Sequence, residues 1–299
     1  MTDDIAQSRA PELNQATLFV VATPIGNLGD MSQRALDVLS RADLIAAEDT
    51  RHSSRLTQHF GIRTRLVSYH DFSTRSREDS ILAELQAGRT VALISDAGTP
   101  LISDPGYALV ARARELGIAV VPVPGACALT AALSAAGLPT DRFVFEGFPP
   151  HKSGARRQMF EALASEQRTL VFYESPHRIA DSVQDMCDLF GADRQAVICR
   201  ELTKTWETIH GDSLQGLCDW LAADDNHRRG EFVVLVHGAP APETDALSAE
   251  TERHLRILLE ELPVKQAAAL AARLSGLKKN ALYKRALTLG GAGAAPPAD

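Results

Sequence analysis

The chain is poor in cysteine and in aromatic residues, and it has no long apolar run. Its four cysteines, Cys127, Cys187, Cys199 and Cys218, lie far apart and form no C-x-x-C pair. That spacing excludes a dithiol redox motif and a cysteine zinc site, and it predicts four reduced core thiols. No metal is expected. No stretch approaches the roughly 18 apolar residues of a membrane-spanning helix. Residues 1–15 are polar and lack the apolar centre of a signal peptide. The expectation is a cytoplasmic protein whose residues 1–16 form a disordered extension. The G-x-G-x-x-G dinucleotide fingerprint is missing as well. The most conspicuous Gly/Pro-rich loop, Ser95 to Gly106, holds two aspartates and no Lys or Arg, which excludes a phosphate-cradling P-loop there.

What is present reads as α/β. With 299 residues, 45% of them hydrophobic, the chain is long enough for two domains with substantial cores. Apolar runs at 17–23, 43–47, 65–69, 90–94 and 118–123 predict buried strands. Between them, helical stripes are expected at 35–42, 50–60, 78–87 and 107–116. This βαβ rhythm predicts a mainly parallel sheet covered on both faces. Strand ends at Thr23-Pro24-Ile25-Gly26-Asn27, at the Asp96 loop and at Pro124-Gly125-Ala126 should converge at one edge, where such sheets bind ligands. A helix at 127–136 follows. A second α/β unit is expected from strands at 143–148, 169–173, 196–200 and 231–237, a short strand at 207–210 and a helix at 156–164. The expected boundaries are 17–124 and 125–238 for two α/β domains, 239–247 for a linker, 248–290 for a helical appendage and 291–299 for a disordered tail.

Charge is unevenly spread. The net charge is −7, yet residues 264–299 hold six basic side chains against one acid. A basic tail on an acidic body points to a local polyanion contact. Helices are expected at 249–261, 264–274 and 278–289, the last two around Gly276, as in a helix-turn-helix.

Five motifs in register carry a resemblance: Ala22-Thr23-Pro24-Ile25-Gly26-Asn27-Leu28, Ala46-Ala47-Glu48-Asp49-Thr50-Arg51, Ser95 to Gly106, Phe172-Tyr173-Glu174-Ser175, and Arg200-Glu201-Leu202-Thr203-Lys204. With Lys278-Lys279-Asn280-Ala281-Leu282-Tyr283 in the tail, the chain over about residues 17–290 resembles the bacterial 16S rRNA ribose 2′-O-methyltransferases of the decoding-centre cytidine, within the tetrapyrrole-methylase-like class. The resemblance implies two α/β domains with S-adenosylmethionine folded into the cleft between them, an RNA-contacting helical appendage, a homodimer, and the small ribosomal subunit as partner. The chain departs from the family pattern at His70-Asp71-Phe72-Ser73-Thr74, where a His, an acid and then His-Asn-Glu are expected. It departs again at Ala126, where proline is usual.

The resemblance places the methyl donor against Pro24, Asp96, Ala97, Gly98, Leu101, Ile102, Ser103, Ala128, Tyr173, Glu174, Leu202, Glu231 and Phe232. Asp96 would accept hydrogen bonds from the donor's hydroxyls or ammonium, and the apolar residues would form walls. A positioned base is typically worth about 10²–10⁴-fold in rate. The candidates are Glu48, Asp49, His70, Glu174, Glu201 and Lys204, and the sequence does not single one out. Arg51, Arg178 and the Lys152, Arg156, Arg157 cluster are expected on RNA phosphates, together with Lys278, Lys279, Lys284 and Arg285 in the tail. Two alternatives stay open on the residues themselves. One is a small-molecule tetrapyrrole methylase, which needs no basic tail. The other is a nucleic-acid-binding regulator with an α/β ligand sensor, which needs no complete set of donor loops.

Overall fold

The computed structural model describes residues 16–70, 75–240 and 249–290. The expected disordered ends, most of the linker and Asp71–Thr74 of the departing motif lie outside the described residues. The first half is built from β1 (Thr17–Val21), α1 (Gln33–Arg41), β2 (Leu44–Ala47), α2 (Thr50–His59), β3 (Leu66–Ser68), α3 (Arg75–Gln86), β4 (Thr90–Ile94), α4 (Tyr107–Glu115) and β5 (Ala119–Val123). All five strands are parallel, in the order β3-β2-β4-β1-β5. Parallel strands need helical crossovers, so both faces are covered and the strands read as unbroken apolar runs. Phe19, Val21, Ile45 and Ile94 pack on Ala35, Val38 and Leu39 of α1. On the opposite face, Leu18, Val91 and Leu93 meet Ile81, Leu82 and Leu85 of α3 and Leu109 of α4. Local signals start the helices: the Ser32 hydroxyl accepts from Ala35 N–H at the start of α1, and Asp49 caps α2 through Arg51 N–H.

The second half contains α5 (Ala128–Ala135), β6 (Phe143–Gly147), α6 (Ser153–Leu163), β7 (Thr169–Glu174), α7 (Ile179–Phe190), β8 (Gln195–Arg200), β9 (Thr208–Ser213), α8 (Leu214–Ala223) and β10 (Phe232–Val236). Its sheet, β6-β7-β10-β8-β9, departs from the parallel rhythm of the first: only β6 and β7 are parallel. Connection length accounts for the β8–β9 pair. The loop 201–207 between β8 and β9 is shorter than the dozen residues a parallel crossover needs, so that pair closes as a hairpin. The short strand expected at 207–210 is therefore six residues long, paired with β8 along its whole length. Alternate residues face opposite layers. Leu170, Phe172 and Val234 meet α6, α7 and α8, whereas Val171, Val233 and Leu235 meet Leu129, Ala132 and Leu133 of α5.

The described residues up to 239 form one compact unit, so the two sheets belong to a single body. The described residues from 240 onward form another. In the latter, α9 (Ala249–Glu261), α10 (Val264–Ser275) and α11 (Lys279–Gly290) enclose a small core of Leu255, Ala268, Ala271, Leu282 and Ala286. Gly276 ends α10 at φ 71°, the left-handed cap that glycine favours, and turns the chain into α11.

Candidate active site

The first sheet changes direction between β1 and β4. The chain leaves β1 towards β2 and β3, but leaves β4 towards β5 on the other side. Ligands bind at such a switch point, in the crevice outside the carboxyl ends of the strands. Here three strand-end loops are clipped together. Thr23 and Gly98 exchange backbone hydrogen bonds of 2.8 and 3.1 Å. The Thr99 hydroxyl donates to Ala126 O at 3.0 Å, joining the loop after β4 to the loop after β5. Gly125 sits so close to β1 that a Cβ there would come within 2.9 Å of Ala22 Cβ. Glycine is required by that approach.

These loops face the second sheet across a cavity of about 430 Å³, within the range of small-molecule sites. Apolar walls come from Ile25, Ile102, Ala128, Phe148, Tyr173, Leu202, Phe232 and Val233, and carboxylates from Glu48, Asp96, Asp104, Glu174 and Glu231. Among the described residues, no Lys or Arg lines it. Such a lining suits a cationic, partly apolar ligand and leaves a phosphate without a counter-charge. Burial pushes the Cys199 thiol in this wall up to about 12, so it stays protonated. Burial also raises the Tyr173 phenol, whose oxygen accepts from Leu129 N–H at 3.0 Å.

The backbone around the cavity is strained. Among the described residues, four that are not glycine have positive φ: Leu101 (73°), Ser103 (61°), Glu201 (52°) and Thr203 (68°). All four lie on the two loops that flank the cavity, the loop after β4 and the loop after β8. Each such residue costs on the order of 1–3 kcal/mol and persists only where its surroundings enforce it. The enforcement is visible after β8. Lys204 Nζ lies 2.9 Å from Glu201 Oε1 and 2.7 Å from Glu231 Oε2, and Glu201 Oε1 also accepts from Glu231 N–H. The Lys204 stem packs so tightly on Gly26 that a Cβ there would come within 2.4 Å of its Cγ. This lysine therefore ties the loop after β8 to the loop after β1.

Most donor-site expectations fall on this cavity. Asp96, Ala97, Gly98, Ile102, Ser103, Ala128, Tyr173, Glu174, Leu202, Glu231 and Phe232 all line it. Leu101 does not: its left-handed backbone turns the side chain against Gly106 and the core under α4. Pro24 lines a neighbouring cavity instead. Ile25, Asp104, Cys127, Phe148, Cys199 and Val233 are among the lining residues not anticipated as donor contacts. Ile25, Asp104 and Cys127 stand in or beside the loops singled out in the sequence, whereas Phe148 is the last residue of the expected 143–148 strand and falls just past the end of β6.

The proposed bases separate by surroundings. Asp49 is occupied as the cap of α2 and in an ion pair with Arg51, and those hydrogen bonds hold its carboxyl well below the usual range. Glu174 is 1% exposed and engaged by Arg178 at 2.7 Å, Ser182 Oγ at 2.5 Å and Ser175 N–H. That arrangement is structural, which removes Glu174 from the candidates for a free base. Burial alone would lower the Lys204 pKa, but its two carboxylates outweigh burial and raise it, so Lys204 is a cation and not a base. Burial would raise Glu201, yet Lys204 and the Glu231 N–H outweigh it and hold Glu201 low. Glu48 lines the cavity and accepts from Asp96 N–H at 3.4 Å. His70 follows β3 and lines neither cavity.

Several expected phosphate contacts are already committed. Arg156 is 4% exposed and bonds Asp185 at 2.7 Å. It ties α6 to α7 and is withdrawn from any RNA surface. Arg157 bonds Asp185 and Asp188 on the same helix. Arg178 is spent on Glu174, Ser175 and Pro149 O. Arg51 is exposed but paired with Asp49, and Arg285 is paired with Glu252. Lys152, Lys278, Lys279 and Lys284 remain exposed.

Comparison with known proteins agrees with this architecture. The family model described as tetrapyrrole (corrin/porphyrin) methylases matches residues 17–218, and the one described as the RsmI C-terminal HTH domain matches residues 245–290. The chain is 59% identical over 276 residues to ribosomal RNA small subunit methyltransferase I of Pseudomonas aeruginosa, covering 92% of this chain and 98% of that one. It is 55% identical over 281 residues to the protein of the same name from Escherichia coli O157:H7, covering 94% and 98%. Among solved structures, the uroporphyrin-III C-methyltransferase of Thermus thermophilus shares the fold, with a TM-score of 0.53 at 19% identity over 75% of this chain and 94% of that one. The switch-point loops and most of the second sheet thus lie in the part matched by the tetrapyrrole (corrin/porphyrin) methylase model and the helical tail in the part matched by the RsmI C-terminal HTH model, and the chain belongs to the tetrapyrrole methylase family, in the branch of the ribosomal RNA small subunit methyltransferases I.

Proposed function

We propose that the chain transfers a methyl group from S-adenosylmethionine to the ribose 2′-hydroxyl of a cytidine in the decoding region of 16S rRNA, within the small ribosomal subunit. The observation that carries the donor assignment is the cavity at the β1/β4 switch point. It is acidic, lacks basic lining residues among those described, and is framed by the four strained residues. Its residues fit the donor's chemistry. The carboxylates Asp96, Asp104, Glu48 and Glu231 suit an ammonium and ribose hydroxyls, and Ile25, Ile102, Leu202 and Phe232 suit an adenosine face. When bound, S-adenosylmethionine supplies an electrophilic methyl on a sulfonium with a built-in leaving group.

The protein's task is then positioning. The clipped loops fix Asp96 to Gly98, and the Lys204 tie fixes the loop after β8. A well-aligned pair of reactants is worth several kcal/mol of barrier, up to about 7–11 kcal/mol in favourable cases. The RNA assignment is supported by the names of the curated relatives, by the helical tail and by its exposed Lys278, Lys279 and Lys284. A homodimer in the cytoplasm belongs to the same reading through the family resemblance.

Substrate state gives the test. Of the expected phosphate contacts only Lys152, Lys278, Lys279 and Lys284 are exposed and outside the ion pairs described above, and a free oligonucleotide must be ordered at the enzyme's expense. Radiolabelled methyl transfer should therefore be strong on small subunits and weak on naked 16S rRNA or a short oligonucleotide. Comparable rates on deproteinised RNA would overturn the requirement for an assembled subunit, and no transfer to any of the three would overturn the function.

A further inference from the structure

A second cavity, of about 450 Å³, adjoins the first. One wall is the loop after β1, with Thr23, Pro24, Gly26 and Leu28. The other is a face of α2 presenting His52, Arg55 and His59. The two cavities share Ile25, Asp96, Ala97 and Glu231, so these residues form a partition with one cavity on each side. Their electrostatics differ. The donor cavity has no basic lining among the described residues, whereas the second has Arg55, Lys204 and two histidines.

The helix builds this basic wall. Positions 52, 55 and 59 follow the i, i+3, i+7 spacing that puts side chains on one face of α2. Arg55 is exposed and makes no hydrogen bond or ion pair with any described residue. Arg51, Arg156, Arg157 and Arg178 are all engaged by carboxylates. Lys204, in the same cavity, is neutralised by Glu201 and Glu231. A guanidinium cannot deprotonate, and its planar fork matches two phosphate oxygens. The cavity therefore has a polarity. Carboxylates stand at the partition, and an uncompensated cation stands at the α2 end. A ribose with its 3′ or 5′ phosphodiester has the complementary arrangement, with hydroxyl groups at one end and an anion at the other.

We infer that this second cavity receives the acceptor nucleotide, with Arg55 gripping a backbone phosphodiester beside His52 and His59 while the ribose hydroxyl faces the partition shared with the donor cavity. The inference rests on the proposed function and goes beyond it, because it brings the reacting strand in along α2. The tail and the Lys152 turn would then serve as outlying contacts. Arg55 becomes a specificity-determining residue for a phosphodiester-linked acceptor.

The test compares wild type with Arg55→Gln, Arg55→Lys and the double variant His52→Gln/Arg55→Gln. Binding of purified small subunits is measured over a series of salt concentrations, and KM for subunits and donor affinity by calorimetry are measured alongside. Arg55 is exposed and has no partner among the described residues, so thermal unfolding should match wild type. Arg55→Gln should weaken subunit binding roughly three- to tenfold and flatten the salt slope by up to about 0.7–0.9 log units, the share of one released phosphate counterion. The double variant should lose more. Arg55→Lys should restore the slope, because the slope counts charges. Donor affinity should not move in any of the three. If wild type methylates subunits and Arg55→Gln matches it in affinity, KM and salt slope, the inference falls and the proposed function stands. If wild type neither binds nor methylates subunits, both fall.

Discussion

Arg178→Ala is expected to destabilise the α/β body by about 3–5 kcal/mol, the usual result of removing one partner of a buried ion pair. Glu174, at the end of β7, has its side chain only 1% exposed, and Arg178 at the start of α7 is its cationic partner at 2.7 Å. Ser182 and the Ser175 N–H would still bond the carboxylate, but no charge would balance it. For a body of this size, 1 kcal/mol shifts the melting temperature by about 2–4 °C, so a fall of roughly 6–20 °C is expected by calorimetry. Glu174→Gln separates structure from catalysis. It keeps the shape and part of the hydrogen bonding, and it should retain substantial methyl transfer once corrected for folded fraction. A stable Glu174→Gln protein without any transfer would reinstate Glu174 as a catalytic group.

Asp96→Ala should cost about 1–3 kcal/mol of donor affinity, roughly a 5- to 150-fold rise in Kd, if its carboxylate makes charged hydrogen bonds to the donor. Asp96 stands in the partition between the two cavities, and its Oδ1 accepts from Asp49 N–H at 3.1 Å. The substitution thus also loosens the start of α2, and Asp96→Asn is the control. The amide keeps an acceptor for Asp49 N–H while removing the charge. Calorimetry should therefore place Asp96→Asn between wild type and Asp96→Ala. A folded Asp96→Ala protein with unchanged donor affinity would remove Asp96 from the donor site.

Much of the fold is written in local patterns. The unbroken apolar runs of β1, β2 and β4 are those of strands covered on both faces, and in the first sheet every residue of the three is buried except the half-buried Val20. Mixed pairing in the second sheet is not legible in the same way, because apolar strands such as β8 and β10 look alike in parallel and antiparallel company. For the β8–β9 pair the deciding information is the short length of loop 201–207. Helices α7 and α8 are not among the expected elements, although Ile179, Val183, Met186 and Phe190 follow a helical spacing ahead of Gly191. Leu214, Leu217 and Leu221 do the same behind the Ser213 cap.

Cavity-lining residues are legible where loop chemistry is unusual, as at Asp96 to Gly98. They were not legible where a basic residue's role depends on a partner far along the chain. Arg156 looks like a surface cation in sequence, yet Asp185 on α7 draws it inside. Arg55 is an ordinary helix residue until the loop after β1 is folded opposite it.

The proposed methylation of a small-subunit RNA ribose is tested most directly by mass spectrometry of 16S rRNA from cells lacking the gene, with and without its restoration. The expected result is a loss of one methyl group from a decoding-region cytidine. The mass should sit on the ribose, and the wild-type chain should restore it where Asp96→Ala restores little. Unchanged rRNA in the deletion strain, or a lost methyl that maps to a base, would contradict the account.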